Sequence, residues 1–193
     1  MIEFTKGNYM KQVGHGADFA VDFSFPDMEY GNYFEESKIA AQILWESRVG
    51  KLHLMYSGGV DSEYMLSVFL SLKMDVVPVI KRITQGYNKH DVDYALKFCQ
   101  RVKIDPLIID VDYDELVRSG KMLALTEQIK SSVYHYTSTA YVAGLLDGTV
   151  ILGDGEPTIY YRGERGWCVE KFEYDFAVEN YFVQQGIHGT PYF

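Results

Sequence analysis

Ser57-Gly58-Gly59-Val60-Asp61-Ser62 is the stretch whose residue types and spacing could do chemistry. A strand-to-helix loop of small residues exposes backbone N–H groups at a helix N-terminus, where the macrodipole favours anions. Gly58 and Gly59 permit positive φ and let a phosphate approach the backbone. Ser57 and Ser62 add hydroxyl donors. Asp61 would repel a phosphate as a direct ligand. It suits a magnesium ion bridging to phosphate oxygens, because Mg²⁺ takes one or two carboxylates plus phosphate. The alternative is a tight turn in which Asp61 merely caps the helix. The loop is not the G-x-x-x-x-G-K-[ST] phosphate loop, since no lysine follows its glycines.

The flanks are what such a loop needs. LHLMY before it is a short apolar strand of the kind buried on both faces in parallel sheets. After it, Met65, Leu66, Phe69 and Leu72 recur at helical spacing. Upstream, FEESKIAAQILWESRV (34–49) predicts a helix, with Ile39, Ile43, Leu44 and Val49 at helical spacing and Gly50 as C-cap. DVVPVIKRI (75–83) predicts a second strand, although Pro78 is awkward in a strand interior. Asn88 can cap a helix with a stripe of Val92, Ala95, Leu96, Cys99 and Val102. PLIIDVD (106–112) predicts a third strand, followed by a short helix capped by Asp112 and ended by Gly120. MLALTEQIKSSVYHYTSTAYVAGLL predicts helix in two pieces, because SSVYHYTST is a poor helix interior. TVIL (149–152) predicts a fourth strand, and a second glycine loop, Gly153-Asp154-Gly155-Glu156-Pro157, follows it. An aromatic stretch then leads to a last helix near Tyr174–Gln185.

Strands alternating with helices predict a doubly wound, Rossmann-like α/β fold, a parallel sheet with helices on both faces. One domain is expected over 1–193, with 1–33 an irregular or weakly stranded lead-in. Both glycine loops fall at strand carboxyl ends, where such sheets bind ligands.

Composition narrows the partners. A net charge of −9 argues against a broad nucleic-acid surface or an anionic-membrane surface. No apolar run approaches the roughly 20 residues of a membrane helix, and the amino terminus has no signal core. A soluble, cytoplasmic chain is expected. Cys99 and Cys168 cannot make a four-ligand zinc site, and the five histidines show no metal-ligand spacing. The many tyrosines and phenylalanines read as core and half-buried surface rather than a stacking platform for single strands.

S-G-G-x-D-S is matched in full at the strand–helix junction, and it is the PP-loop signature of the ATP pyrophosphatase superfamily, which this chain resembles. The resemblance implies a HUP-type, PP-loop fold with its nucleotide-binding core over 51–160. It implies ATP and Mg²⁺ as cofactors, with residues 57–62 holding the β,γ-pyrophosphate while a substrate oxygen attacks the α-phosphate. From about residue 34 to 160 the order is similar to the synthetase domain of asparagine synthetase and β-lactam synthetase. There, TVILGDGEP is similar to a strand ending in G-E-G-S-D-E, whose acidic residue holds magnesium with the loop aspartate. Here the family's metal aspartate falls on Thr158, so Asp154 or Glu156 is expected to join Asp61 at the metal, Asp154 being favoured. The family's glutamine-hydrolysing domain has no counterpart. An amine, free ammonia or a partner's product is the expected nucleophile, and the acceptor is an unidentified small molecule. A homodimer is left open. Similar stand-alone domains in bacteriophage genomes imply a host cytoplasm if the source is viral.

Charge developing on the leaving pyrophosphate calls for cations. Lys171 and Arg162 are expected first, because they closely follow the second glycine loop; Lys81, Arg82 and Arg165 are the other candidates. The acidic run Asp110, Asp112, Asp114, Glu115 is expected to cap a helix and face solvent at the sheet edge. Two other readings compete. A sulfur-transfer relative, resembling phosphoadenosine phosphosulfate reductase or tRNA thiolases, would want a cysteine motif that is absent. A nucleotide-binding module without catalysis would fit the altered second loop.

Overall fold

The computed structural model describes residues 2–5, 20–23, 31–129, 134–153, 158–161, 163, 167–170, 178 and 181–190. The chain divides into two compact units, Met1–Glu36 and Ser37–Phe193. In the first, β1 (Ile2–Thr5) pairs antiparallel with β2 (Ala20–Phe23), so the lead-in holds a strand pair that its aperiodic sequence did not define. The unit ends in the first turn of α1 (Tyr33–Ser47), where the Asn32 side chain accepts from the Glu35 N–H at 3.1 Å.

The rest of α1 belongs to the second unit, and its apolar residues divide between surface and core. Ile39, Ile43 and Val49 are exposed by 55%, 61% and 58%, whereas Ser37 and Ala41 are buried. Ser37 accepts a hydrogen bond from the Tyr64 hydroxyl at 3.0 Å. The helix meets the core through Ser37, Ala41, Leu44 and Trp45, so of the four apolar residues at helical spacing Leu44 is the one that packs inward.

The remaining elements are β3 (Leu52–Met55), α2 (Val60–Ser71), β4 (Val76–Ile83), α3 (Lys89–Val102), β5 (Leu107–Val111), α4 (Tyr113–Arg118), α5 (Lys121–Ile129), α6 (Tyr134–Ala143), β6 (Thr149–Ile151), β7 (Thr158–Tyr161), β8 (Trp167–Glu170) and β9 (His188–Thr190). Five of these strands make one parallel sheet in the order β5-β4-β3-β6-β9. The antiparallel β7–β8 pair and β9 were not legible in the sequence. Of the last helix expected near 174–185, residue 178 and residues 181–185 are described, and they are helical.

Side-chain alternation along β3 divides the core. Leu52, Leu54 and Tyr56 join Leu66 and Phe69 of α2 and Ala95 and Cys99 of α3 on one face. Met55 joins Leu116, Met122, Leu125 and Ala140 of α4, α5 and α6 on the other. Helices therefore cover both faces, and every residue of β3 is buried. Pro78 is tolerated inside β4 because pairing with β5 starts only at Val79. From β3 the chain winds outward through β4 to the edge strand β5, then crosses back to β6 on the far side of β3. That reversal opens a crevice at the carboxyl ends of β3 and β6. No described helix is long and apolar enough to cross a membrane.

Candidate functional site

A cleft of about 250 Å³ occupies that crevice. Its lining includes Ser57, Gly59, Asp61 and Ser62 of the first glycine loop, Gly153 after β6, and Lys81 near the end of β4. It also includes Asn88 and Asp91 at the start of α3 and His135 and Thr139 of α6.

The loop is built by its own hydroxyls. Ser57 Oγ lies 3.1 Å from Ser62 Oγ and accepts from the Gly59 N–H at 3.3 Å. Ser62 Oγ donates to the Gly59 carbonyl at 3.0 Å. The Glu63 N–H closes the first helical bond of α2 onto that same carbonyl, at 3.0 Å. No side chain caps α2 at Gly59. The N–H groups of Val60, Asp61 and Ser62 precede the first intrahelical bond, so they are the orphan donors that an anion can take.

The two glycines divide the work expected of them. Gly58 has φ +86°, and a side chain there would collide with the Asp91 carbonyl and crowd the Ala95 nitrogen of α3. Its freedom serves the packing of the loop on α3. Gly59 has φ −78°, an ordinary value, so positive φ is not its reason. A Cβ at Gly59 would meet only Ser57 Oγ, at 3.4 Å, and the missing side chain leaves this wall of the cleft open. Gly153 is tight as well: a Cβ there would lie 2.7 Å from the Met65 sulfur.

Asp61 stands in the first turn of α2, is exposed, and does not cap the helix. Among the described residues no group of three or more His, Cys, Asp or Glu side chains could cage a metal. A first-turn carboxylate beside orphan N–H donors, with Asp91 lining the same cleft, still fits Mg²⁺, which keeps most of its octahedron for phosphate and water oxygens.

Lys81 is held from across the cleft. Its ammonium donates to Ser138 Oγ at 2.8 Å and Thr139 Oγ1 at 2.9 Å, with the His135 carbonyl at 3.4 Å. Burial, then the Lys81 charge, lowers the His135 pKa to about 4, so the imidazole is neutral at pH 7, although the residue as a whole is exposed. Asn88 precedes α3 but does not cap it through its side chain, a correction. Its amide instead donates to the Lys81 carbonyl at 2.7 Å and accepts from the Ile83 N–H at 2.9 Å. It thereby fixes the strand end that carries Lys81.

The cleft gathers Ser57, Gly59, Asp61 and Ser62 as expected, with Val60 beside them and 81% exposed. Lys81, lower among the expected cations, is the described one that lines it. Arg82 turns to the other face of the sheet and pairs with Asp110 at 2.6 Å. The acidic run behaves as expected, with Asp112 capping α4 by accepting from the Glu115 N–H at 3.0 Å. Asp154, Glu156, Arg162, Arg165 and Lys171 lie outside the described residues. His135, Thr139 and Asp91 were missed. Asp91 alone had a signal, as a carboxylate in the first turn of the helix that packs on Gly58.

No protein-family model matches the chain, and no curated protein matches it. Among solved structures it is similar to an NH3-dependent NAD synthetase from Campylobacter jejuni, with 21% identity and a TM-score of 0.39 over 61% of this chain and 48% of that one. It is also similar to a predicted tRNA methyltransferase subunit from Methanocaldococcus jannaschii (17%, TM-score 0.42, 75% of this chain and 68% of that one). A third is the glutamine-dependent NAD+ synthetase from Acinetobacter baumannii (20%, TM-score 0.43, 67% and 25%). The chain thus spans about half the length of the Campylobacter synthetase and a quarter of the Acinetobacter one. Likeness at this level assigns no chemistry to the chain.

Proposed function

We propose that the chain is a PP-loop ATP pyrophosphatase that binds Mg·ATP in the crevice between β3 and β6 and adenylates a small-molecule acceptor. One observation carries the reading: S-G-G-x-D-S opens a 12-residue helix at the topological switch point, and its hydroxyls and carboxylate line a cleft that also holds Lys81. The N–H groups of Val60–Ser62 and the Ser57 and Ser62 hydroxyls bind the β,γ-phosphates. Asp61, with Asp154 or Glu156 as the second carboxylate, holds the magnesium. The metal when bound supplies charge neutralisation on the phosphate oxygens. Lys81 adds a cation to the cleft, and Arg162 and Lys171 remain the candidates beyond the described residues.

In the reaction a carboxylate or carbonyl oxygen of the acceptor bonds to the α-phosphorus and the bond from that phosphorus to the bridging α,β oxygen breaks. Pyrophosphate leaves with that electron pair, and ammonia or an amine then displaces AMP from the activated acceptor. The reading is asparagine synthetase-like, with ammonia or an amine as the nucleophile. The loop has no lysine of the kind a γ-phosphoryl transfer site would use. Sulfur transfer through Cys99 is disfavoured, because burial pushes its thiol up to about 11 and leaves it 1% exposed. Chromatography of nucleotides after incubation with Mg²⁺, ammonia and candidate acids tests the proposal. AMP and pyrophosphate are expected, and ADP as the main product overturns adenylation. Tight Mg·ATP binding with no turnover on any acid would instead favour a non-catalytic nucleotide-binding module.

A further inference from the structure

Lys81 stands in a network whose hydrogen-bond directions can be worked out atom by atom. An ammonium only donates, so Ser138 Oγ and Thr139 Oγ1 both accept from it, at 2.8 and 2.9 Å. Each hydroxyl has one proton to give, and the His135 carbonyl can take both, at 2.9 Å from Ser138 and 3.0 Å from Thr139. Ser138 also lies 2.6 Å from the Tyr113 hydroxyl. Either oxygen of that pair can be the donor, and in both cases the Ser138 and Thr139 lone pairs are turned towards Lys81. Thr137, Ser138 and Thr139 are all buried, which is unusual for three consecutive hydroxyl residues in a helix. Ser and Thr are weak helix formers, and their i−3 and i−4 bonds to the backbone add nothing that an alanine helix would lack. Orienting an ammonium in the cleft accounts for Ser138 and Thr139, while Thr137 lies 3.5 Å from the Thr126 hydroxyl.

We propose that Thr139 and Ser138, backed by Tyr113, are positioning residues that fix the Lys81 ammonium against the phosphate chain of a bound nucleoside triphosphate. The inference rests on the proposed function for its ligand; the network itself does not. Two short charge-assisted bonds help set where Nζ sits, and a displacement of about an ångström changes what a point charge does for a phosphate.

Thr139→Val keeps the side-chain shape and removes the acceptor, whereas Thr139→Ser keeps the acceptor and removes a methyl. Competitive acetylation with acetic anhydride, read at Lys81 by mass spectrometry, needs no ligand. Labelling is expected to rise several-fold in Thr139→Val and to return to the wild-type rate in Thr139→Ser. Calorimetric titration with Mg·ATP is expected to weaken about tenfold in the valine variant and less than about twofold in the serine variant, the loss typical of one hydrogen bond to a charged group. Equal labelling in wild type and Thr139→Val overturns the inference. Equal weakening of Mg·ATP binding in both variants also overturns it, since packing would then be the cause. A wild-type chain that binds no Mg·ATP overturns the proposed function and the ligand named here. The labelling contrast then still decides whether the helix turn holds Lys81.

Discussion

Two concavities meet at the carboxyl end of β4, and adjacent residues of that strand serve them. Lys81 lines the cleft beneath α6, while Arg82 lines a wider groove of about 460 Å³ against α3. In the groove the charges neutralise one another, Arg82 with Asp110 at 2.6 Å and Lys89 with Asp93 at 2.5 Å. Those hydrogen bonds hold the Asp93 and Asp110 carboxyls below the usual range, but all four side chains stay well exposed, so such pairs contribute little. In the cleft the charge is presented differently. Asp61 makes no cap, the first N–H groups of α2 lack intrahelical partners, and the Lys81 ammonium donates to the Ser138 and Thr139 hydroxyls. Charged residues alone do not mark a site. A cation held by hydroxyls beside orphan backbone donors does.

Breaking the cleft should show this most plainly at Asp61. Asp61→Ala is expected to weaken Mg·ATP binding by about a hundredfold or more in calorimetric titration, since it removes a metal-bound carboxylate. Asp93→Ala in the groove should leave binding unchanged, and unchanged affinity in Asp61→Ala would remove Asp61 from the site.

Gly58→Ala should damage both regions, because Gly58 is where the loop rests on α3. A left-handed backbone conformation and a collision with the Asp91 carbonyl together predict a loss of about 3 kcal/mol, read from the urea midpoint. Gly59→Ala, with ordinary φ and only Ser57 Oγ nearby, should fold normally and show its effect in nucleotide binding.

The paired cations sharpen the contrast further. Lys81→Met should weaken Mg·ATP binding about tenfold, and Arg82→Met should change it by less than about twofold. A reversed order would move the site to the groove.

The smallest effect concerns acid. Burial, then Lys51, lowers the His53 pKa; burial, then Lys81, lowers that of His135 to about 4. Both folded values lie below the ordinary 6.5, so the unfolded chain binds more protons in this range. Their contribution to stability is full above pH 6.5 and is lost as pH falls, down to about 4 for His135. Urea midpoints measured across that window should decline for the wild type and less steeply for His135→Asn. Equal slopes would show that His135 is not held neutral by the fold.

Much of this was written in local patterns. The apolar LHLMY run, the S-G-G-x-D-S loop and the i, i+4, i+7 spacing of Met65, Phe69 and Leu72 specify strand, loop and helix from neighbours along the chain. The alternation of such units was enough to expect a parallel sheet with ligands at its carboxyl edge. Side-chain direction was not legible. Lys81 and Arg82 are adjacent basic residues, and only the pairing of β4 between β3 and β5 decides which faces the cleft. Ile39 and Ile43 form the more apolar stripe, yet Ser37, Ala41 and Leu44 are on the face that packs. Asn88 has the right type for a cap, yet its amide bonds to the end of β4, already beside it once the chain turns back. Thr139 meets Lys81 across 58 positions of sequence, and no local rule brings them together. Local periodicity decides what each segment becomes, because its energetics involve residues a few places apart. Which side chains share a cleft depends on contacts between distant segments, and those exist only once the sheet has assembled.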